Sequence, residues 1–264
     1  MTAARFLCVG THHKTGTVWM RRTFHQFAST EGIPIIRVGK TFTPDDLPET
    51  GPALLMNWSS SFPRSLLNRE DVRAFHMIRD PRDVLISGAR YHLTAKTGNE
   101  KWLAKSQRAF DGMSYQEKIN TKETRTDQLR FEMHQKHRET LVQMLNWPYG
   151  HENVVDIRYE DLINDTDLSQ FRQAIETMDV QGFDQDRLVK SYWTNSIFGG
   201  LQDADKLKKN VKSHIKSGRT AQWRDGLPPA IAQEYSDHYG GALLKLGYET
   251  DQSWVSQCMD NITD

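Results

Sequence analysis

Apolar runs and stretches of helical spacing alternate along this chain. Short apolar runs bounded by glycine, proline or charged residues predict five buried strands, over residues 6–9, 33–38, 53–58, 72–78 and 153–159. From Thr17 the spacing becomes helical, with apolar residues at Val18, Trp19 or Met20, Phe24 and Phe27. Strands that alternate with helices at this spacing indicate an α/β fold with a parallel sheet. Further helices are predicted over residues 64–70, from Pro81, over 167–178 and 185–194, and from Pro228 to about Leu246.

A long polar segment precedes the fifth strand. Residues 100–147 are rich in Lys, Arg, Glu and Gln, and they predict helices but no strand. In the second half of this segment, three- and four-residue steps predict an amphipathic helix with one buried stripe, formed by Leu129, Met133, His137, Leu141, Met144 and Leu145.

The sequence predicts no metal site. His134 and His137 carry nitrogen atoms that bind metals, but neither an HExxH motif nor a cysteine accompanies them. We interpret them as a surface residue and a residue of the buried stripe. Cys8 and Cys258 are too few for a disulfide framework or a cysteine-based metal site, and we expect both to be free thiols.

Length and charge narrow the class of protein. At 264 residues the chain can form one large core, and a single α/β domain is the simplest organisation. Lys plus Arg and Asp plus Glu number 34 each, so no net charge favours a nucleic acid or an anionic membrane as partner. The first strand begins near Arg5, which leaves no room for a signal sequence, and no apolar run approaches the roughly 20 residues of a membrane span. We therefore expect a soluble, cytoplasmic protein.

The segment between the first strand and the first helix is suited to binding a phosphate. A loop with glycine and threonine that leads into a helix brings together backbone N–H groups, the positive end of the helix dipole and, here, the ammonium of Lys14. The order of a nucleotide-binding P-loop is not met, because Lys14 stands two residues before Gly16. A plain strand, turn and helix with an exposed lysine is the alternative interpretation.

The order Lys14-Thr-Gly-Thr-x-Trp19 resembles the 5′-phosphosulfate loop of the PAPS-dependent sulfotransferases, whose cytosolic members carry Lys-Ser-Gly-Thr-Thr-Trp. The resemblance implies a P-loop-like, three-layer α/β fold with a central parallel sheet flanked by helices. It also implies that the loop binds the donor, through Lys14, Thr15, Gly16, Thr17, Val18 and Trp19.

A second motif follows the fourth strand. Arg79-Asp-Pro-Arg-Asp-Val84, with Ser87 eight residues after the arginine, resembles the 3′-phosphate motif of the same family, in which Arg79 and Ser87 match the two ligands. A salt bridge from Arg79 to Asp83 at the start of a helix is the structural alternative. Both motifs stand at strand ends, where α/β sheets bind their ligands.

Weaker resemblances extend over the rest of the chain. The segment Tyr159-Glu-Asp-Leu162 is similar to one whose tyrosine lies beside the adenine, and Ser196 and Phe198 loosely match a Ser-Phe pair. The segment 214–224 resembles the loop that wraps the 3′-phosphate, with matches at Lys216, Ser217 and Gly218. The implied organisation is one sulfotransferase domain over 1–264, with a helical acceptor-site insertion around 96–147.

The resemblance implies a sulfotransferase that moves a sulfuryl group from PAPS to a hydroxyl or amine of a small-molecule acceptor. PAP, adenosine 3′,5′-bisphosphate, is the product, and no metal is required. Lys14 then stabilises the charge that grows on the leaving phosphate. Cytosolic members carry Lys-Thr-His after the third strand, where this chain has Met56-Asn57-Trp58, so the general base is open between His13 and His92.

Two other functions stay open from the sequence. A P-loop-type nucleotide kinase would transfer phosphate from ATP, although the position of Lys14 counts against it. A non-catalytic module would bind adenosine bisphosphate without a base. Among partners we expect a small-molecule acceptor, no nucleic acid and no membrane, with a homodimer as the assembly to test.

Overall fold

The computed structural model describes residues 3–98, 100–196 and 219–258, and these fall into two compact units. The sheet unit contains the residues up to 79 together with 146–219, and the helical unit contains 80–145 and the residues from 220 onward. The strands are β1 (Phe6–Gly10), β2 (Ile35–Arg37), β3 (Ala53–Asn57), β4 (Val72–Ile78) and β5 (Val154–Arg158). The α-helices are α1 (Thr17–Glu31), α2 (Arg64–Leu67), α3 (Pro81–Thr94), α4 (Tyr115–Asn120), α5 (Arg125–Glu132), α6 (Arg138–Leu145), α7 (Tyr159–Ile163), α8 (Ser169–Met178), α9 (Gln185–Asn195), α10 (Trp223–Gly226) and α11 (Pro229–Lys245).

Shorter helical turns complete the described elements. They are 3₁₀ turns at Pro44–Asp46, Lys101–Ala104, Arg108–Phe110 and Ser253–Gln257, and a π-helical turn at Met133–His137. None of the helices in the described ranges is long and apolar enough to cross a membrane.

All five strands of the sheet unit join one parallel sheet in the order β2-β3-β1-β4-β5. The five predicted strands and the predicted parallel sheet are therefore confirmed, and β2 is shorter than predicted. The chain leaves β1 towards β2 on one side of it, and later crosses from β3 to β4 on its other side. The carboxyl end of β1 is thus the point where the strand order reverses, which is where parallel sheets place their ligands.

Side chains of β1 enter both faces of the sheet, which explains its continuous apolar run. Leu7 and Val9 join a core cluster with α1, α8 and α9, whereas Phe6 and Cys8 join a cluster on the opposite face with residues of α2. Cys8 is a free thiol, as predicted, and its complete burial raises the pKa of that thiol. Helices therefore flank a central sheet, in agreement with the predicted architecture.

The apolar stripe of α1 is narrower than predicted. Met20, Phe24 and Phe27 are fully buried against the sheet, but Val18 is 52% exposed. Residues two positions apart in an α-helix are separated by roughly 200° around its axis. Val18 therefore faces away from the side on which Met20 lies.

The helical unit contains an apolar core of its own between α3, α5, α10 and α11. At its centre the guanidinium of Arg82 lies 3.8 Å from the ring centroid of Trp223 and 4.7 Å from that of Trp254, and it pairs with Asp80 and Glu249. A buried cation needs such partners, because an unpaired charge in an apolar core is strongly destabilising.

The predicted amphipathic helix of this unit is interrupted, and the prediction of one continuous helix was wrong. α5 and α6 are separated by the π-helical turn, where the backbone N–H of Lys136 donates to the hydroxyl of Tyr115 at 3.4 Å. The predicted stripe nevertheless stays buried from Leu129 to Met144, and His137 is 2% exposed. Periodicity therefore identified the buried side but not the break, which coincides with a hydrogen bond to a side chain of α4.

Candidate active site

The loop between β1 and α1 is held together by hydrogen bonds to the backbone of His12. The carbonyl oxygen of His12 accepts hydrogen bonds from the hydroxyls of Thr15 at 2.9 Å and Thr17 at 2.8 Å, and from the backbone N–H of Thr15 at 3.2 Å. The backbone N–H of His12 in turn donates to the hydroxyl of Thr15 at 2.9 Å. Thr11 and Thr17 share a further hydroxyl contact of 2.8 Å. The threonines of the motif thus close the loop on itself, and Thr15, which is fully buried, acts inside it.

Two residues of the loop have left-handed backbone conformations. Lys14 has a φ of 66° and Gly16, which caps α1, has a φ of 99°. For a lysine this conformation costs about 1–2 kcal/mol, and such backbone strain clusters at functional sites. Gly16 also has close neighbours, since an added Cβ would lie 2.7 Å from the Met77 side chain and 3.2 Å from the Tyr159 ring. Only glycine combines a left-handed φ with such close neighbours without strain.

The first N–H groups of α1 have no partner inside the helix, and they lie at the end of the left-handed turn. The backbone dipole adds positive potential at the same point. N–H groups at a helix N-terminus are suited to an anion, and these lie at the switch point of the sheet. Phosphate binding by this loop stays a prediction.

Aromatic side chains form a wall beside the loop. Trp19 stacks on Tyr192 with ring centroids 5.0 Å apart, and its edge approaches Tyr159 at 6.4 Å. Tyr159 follows β5 as the first residue of α7, so the sheet brings two distant motifs together. These contacts bury both tyrosines beside the loop, with 6% of Tyr159 and 1% of Tyr192 exposed.

Arg79 connects the loop to the last motif of the chain. Its side chain is 3% exposed, and its guanidinium lies 4.5 Å from the ring centroid of Tyr159. The two terminal nitrogens donate to the carbonyl oxygens of Lys14 at 3.4 Å and Arg219 at 3.1 Å. Arg219 directly follows the predicted ligands Lys216, Ser217 and Gly218, which lie outside the described residues, as does Phe198. The contacts of Arg79 thus involve two predicted phosphate motifs rather than only the start of a helix.

The other predicted donor ligands differ in their surroundings. Ser87 is half-buried on α3 in the helical unit. The hydroxyl of Ser196 donates to the carbonyl oxygen of Trp193 at 2.7 Å, at the end of α9. Val18 is an exposed residue of α1, so its side chain is not part of the buried loop.

The two predicted bases have unequal environments. His13 is half-buried in the loop beside Lys14. His92 is fully buried in the helical unit, where Nδ1 lies 2.7 Å from Glu132 Oε2, which also accepts from the Tyr115 hydroxyl at 2.7 Å. Burial and the charge of Glu132 raise the pKa of Tyr115, so that hydroxyl stays a donor. Sequence reasoning missed Glu132 and Tyr115, because only the fold brings them to His92.

The segment where cytosolic sulfotransferases carry their histidine has a structural role here. Asn57 Oδ1 accepts from the backbone N–H groups of Ser59 at 2.8 Å and Ser61 at 3.0 Å, and its amide donates to the carbonyl oxygen of Val38 at 2.8 Å. These bonds close the turn after β3. Asn57 therefore stabilises a turn, and a base has to come from elsewhere in the chain.

A second histidine of the loop region was missed as well. His12 Nε2 lies 2.9 Å from His76 Nε2 on β4, and His76 Nδ1 lies 2.8 Å from Asp156 Oδ1 on β5. The one signal in the sequence was a histidine inside the otherwise apolar run 74–78.

Three side chains of the helical unit have the spacing of metal ligands. Atoms of His134, Glu234 and His238 lie within 4.8 Å of one another. The carboxylate of Glu234 already accepts from His134 Nε2 at 3.0 Å and from Arg130 Nε at 2.8 Å. A guanidinium on the second oxygen is typical of an ion-pair network, which agrees with the interpretation of His134 as a surface residue.

Comparisons with known proteins found similarity over most of the chain. A family model described as a sulfotransferase domain matches residues 6–250. The structure is similar to that of retinol dehydratase in complex with androsterone and inactive cofactor PAP, with a TM-score of 0.50 at 12% identity, over 90% of this chain and 80% of that chain. It is also similar to retinol dehydratase in a complex with retinol and PAP, with a TM-score of 0.53 at 11% identity, over 92% and 82%. At these identities the likeness concerns the fold alone, and no curated protein sequence matches the chain.

The strained loop gives a testable difference between two glycines. We expect Gly32→Ala to lower the free energy of unfolding by about 1–2 kcal/mol, because Gly32 has a φ of 68° but no atom within 4 Å of an added Cβ. Gly16→Ala should cost roughly 1–3 kcal/mol more, because its Cβ also meets Met77 and Tyr159. Urea unfolding of both variants measures the difference, and equal losses would contradict the tight packing of Gly16.

Proposed function

Because this chain belongs to the sulfotransferase domain family and its activity is PAPS-dependent sulfuryl transfer, we propose that Lys14, Arg79 and Tyr159 bind the donor and that Lys14 assists the transfer. The acceptor is the hydroxyl or amine of a small molecule. The family match does not favour the nucleotide kinase or the non-catalytic module.

One observation carries the assignment of the donor site. A buried arginine lies face-on to Tyr159 and donates to the carbonyl oxygen of Lys14, at the switch point of a parallel sheet. Cations next to backbone N–H groups and aromatic rings match the parts of PAPS, namely a 5′-phosphosulfate, a 3′-phosphate and an adenine. We assign the phosphosulfate to the loop of Lys14, the 3′-phosphate to Arg79 and the adenine to the side of Trp19 and Tyr159.

Lys14 acts on the charge that develops during transfer. The bond between sulfur and the bridging oxygen breaks while a bond between sulfur and the acceptor oxygen or nitrogen forms, so negative charge grows on the bridging oxygen. An ammonium and helix N–H groups that are already in place stabilise this charge without reorganisation. The sulfuryl group itself carries less charge than a phosphoryl group, and the proposal therefore includes no metal ion.

The acceptor also has to lose a proton, and we assign its removal to His92. The carboxylate of Glu132 accepts from Nδ1–H of His92, which leaves the lone pair of that ring on Nε2. A base oriented by a buried carboxylate is a recurrent arrangement in proton transfer. His13, beside Lys14, is the second candidate for this role.

The remaining assignments stay predictions. Ser87, Ser196, Phe198, Lys216, Ser217 and Gly218 are the further donor ligands that the motifs imply. The single-domain organisation with an insertion around 96–147, the homodimer and the cytoplasmic location are likewise parts of the proposal.

Lys14→Ala should lower the rate of sulfuryl transfer by roughly 10²- to 10³-fold, the usual effect of losing one donor to a developing charge. The fold should persist, because the lysine stands in a loop. Release of PAP from PAPS is measured over a panel of phenols, alcohols and amines, with Lys40→Ala, an exposed lysine of the same unit, as the matched control. Near-normal turnover of the Lys14 variant would remove Lys14 from the mechanism.

Arg79→Ala should weaken PAP far more than adenosine 5′-phosphate, which lacks the 3′-phosphate. One charge-assisted contact contributes about 1.5–3 kcal/mol, or roughly ten- to a hundredfold in affinity. Calorimetry with both ligands measures the ratio, and Arg37→Ala on the edge strand β2 is the control for loss of a cation. Equal weakening of both nucleotides would mean that Arg79 does not bind the 3′-phosphate.

The base is identified by a matched pair of variants, His92→Asn and His13→Asn. We expect the His92 variant to lose roughly 10²- to 10⁴-fold in kcat with little change in the Kd of PAP, because only the proton acceptor is removed. The His13 variant removes the same imidazole group from the loop and should retain most of its kcat. The reverse result would assign the base to His13.

A further inference from the structure

Three polar side chains cross the sheet unit beneath the loop of Lys14. His76 on β4 stands opposite Gly10 of β1 and opposite Asp156 of β5 in the strand register. His12, two residues after β1, and His76 are both 0% exposed, and 2.9 Å separates their Nε2 atoms. Asp156 Oδ1 lies 2.8 Å from His76 Nδ1. Buried polar rings such as these two destabilise a fold unless they are paired, and here they pair with each other and, at the solvent-exposed end of the row, with Asp156.

The carboxylate at the end of this row determines the protons on both rings. Burial lowers the pKa of His76 in spite of the hydrogen bond to Asp156, so its ring is neutral near pH 7. A neutral ring that donates from Nδ1 to a carboxylate carries its lone pair on Nε2. His12 must then donate from its own Nε2, and its lone pair lies on Nδ1.

Neighbouring side chains hold the central ring in this orientation. The indole of Trp147 stacks on His76 with centroids 4.0 Å apart, and its Nε1–H donates to Asp156 Oδ1 at 2.7 Å. Tyr149 contacts the His76 ring edge-on at 5.8 Å. Stacking thus fixes the orientation of the His76 ring, which donates a hydrogen bond to Asp156 and accepts one from His12.

We infer that Asp156, His76 and His12 form a relay that positions the loop of Lys14 for binding the donor. The ring of His12 is held by His76, and its peptide group is the one that holds Thr15 and Thr17 and so closes the loop. Lys14 follows two residues later. A change in the orientation of His12 therefore shifts the left-handed turn at Lys14, although neither His76 nor Asp156 touches the donor. This inference rests on the proposed function of the loop.

If the relay positions the loop, two substitutions at Asp156 should have different effects. Asp156→Leu removes the acceptor for His76 and Trp147, whereas Asp156→Asn retains an oxygen that can accept from both, because the two bonds converge on Oδ1. We expect Asp156→Leu to raise the Kd of PAP and to lower kcat by roughly tenfold each, the effect of one lost hydrogen bond to a charged group. Asp156→Asn should stay within about threefold of the parent protein in both quantities.

A control separates positioning from loss of stability. Asp71, which pairs with Arg69, precedes β4 at the opposite end of the sheet from the loop. Asp71→Leu should destabilise the protein without changing the Kd of PAP or kcat, measured well below the unfolding temperature. If Asp156→Leu binds PAP and turns over like the parent protein, or if Asp71→Leu shows the same losses, the relay is a structural feature only and the inference is wrong.

The proton positions are tested without any variant or ligand. Long-range ¹H–¹⁵N spectra of the parent protein should show a protonated Nδ1 on His76 and a protonated Nε2 on His12. The opposite tautomers would overturn the relay even if Lys14 proves essential. Conversely, failure of PAP to bind the parent protein would count against the proposed function while the spectra could still show these tautomers, so the two failures are distinguishable.

Discussion

The loop at the carboxyl end of β1 depends on the carbonyl group of His12. This one acceptor takes two threonine hydroxyls and a backbone N–H, so three hydrogen bonds of the short turn converge on it. Lys14 and Gly16 can then hold left-handed conformations, because the hydrogen bonds around them compensate for the local cost. The loop is consequently placed before a ligand arrives, and its N–H groups need little reorganisation to meet an anion.

Two buried arginines of this protein have different surroundings. The chain has no net charge, yet Arg79 and Arg82, three residues apart, are both nearly fully buried. Arg82 is surrounded by two carboxylates and two tryptophans of its own unit, which neutralise it and explain its place in a core. The contacts of Arg79 include two carbonyl oxygens and an aromatic ring. Carbonyl oxygens that accept from both terminal nitrogens fix the direction of the guanidinium, which lies between Lys14 and Arg219.

Two histidines, one in each unit, are oriented by a carboxylate, and they serve different purposes in our proposals. Glu132 leaves the lone pair of His92 on Nε2, and Asp156 does the same for His76. The lone pair of His76 is taken up by His12, so that pair transmits orientation to the loop of Lys14. The lone pair of His92 is instead assigned to accepting the proton of the acceptor. The same acid–imidazole chemistry thus supports a positioning role in the sheet unit and a proposed basic role in the helical unit.

The sequence alone determined the strands, the parallel α/β class and the loop of Lys14, because these depend on periodicity and on residues adjacent in the chain. The buried stripe from Leu129 to Met144 was predictable for the same reason. Only the tertiary structure decided that Val18 faces outward, that a π-helical turn interrupts the helix before α6, and that Arg79 contacts Arg219 across 140 positions. It alone also paired His76 with Asp156, since strands adjacent in the sheet lie 80 positions apart in the chain. Hydrogen bonds depend on distance in space, and a single sequence without its fold contains no measure of that distance.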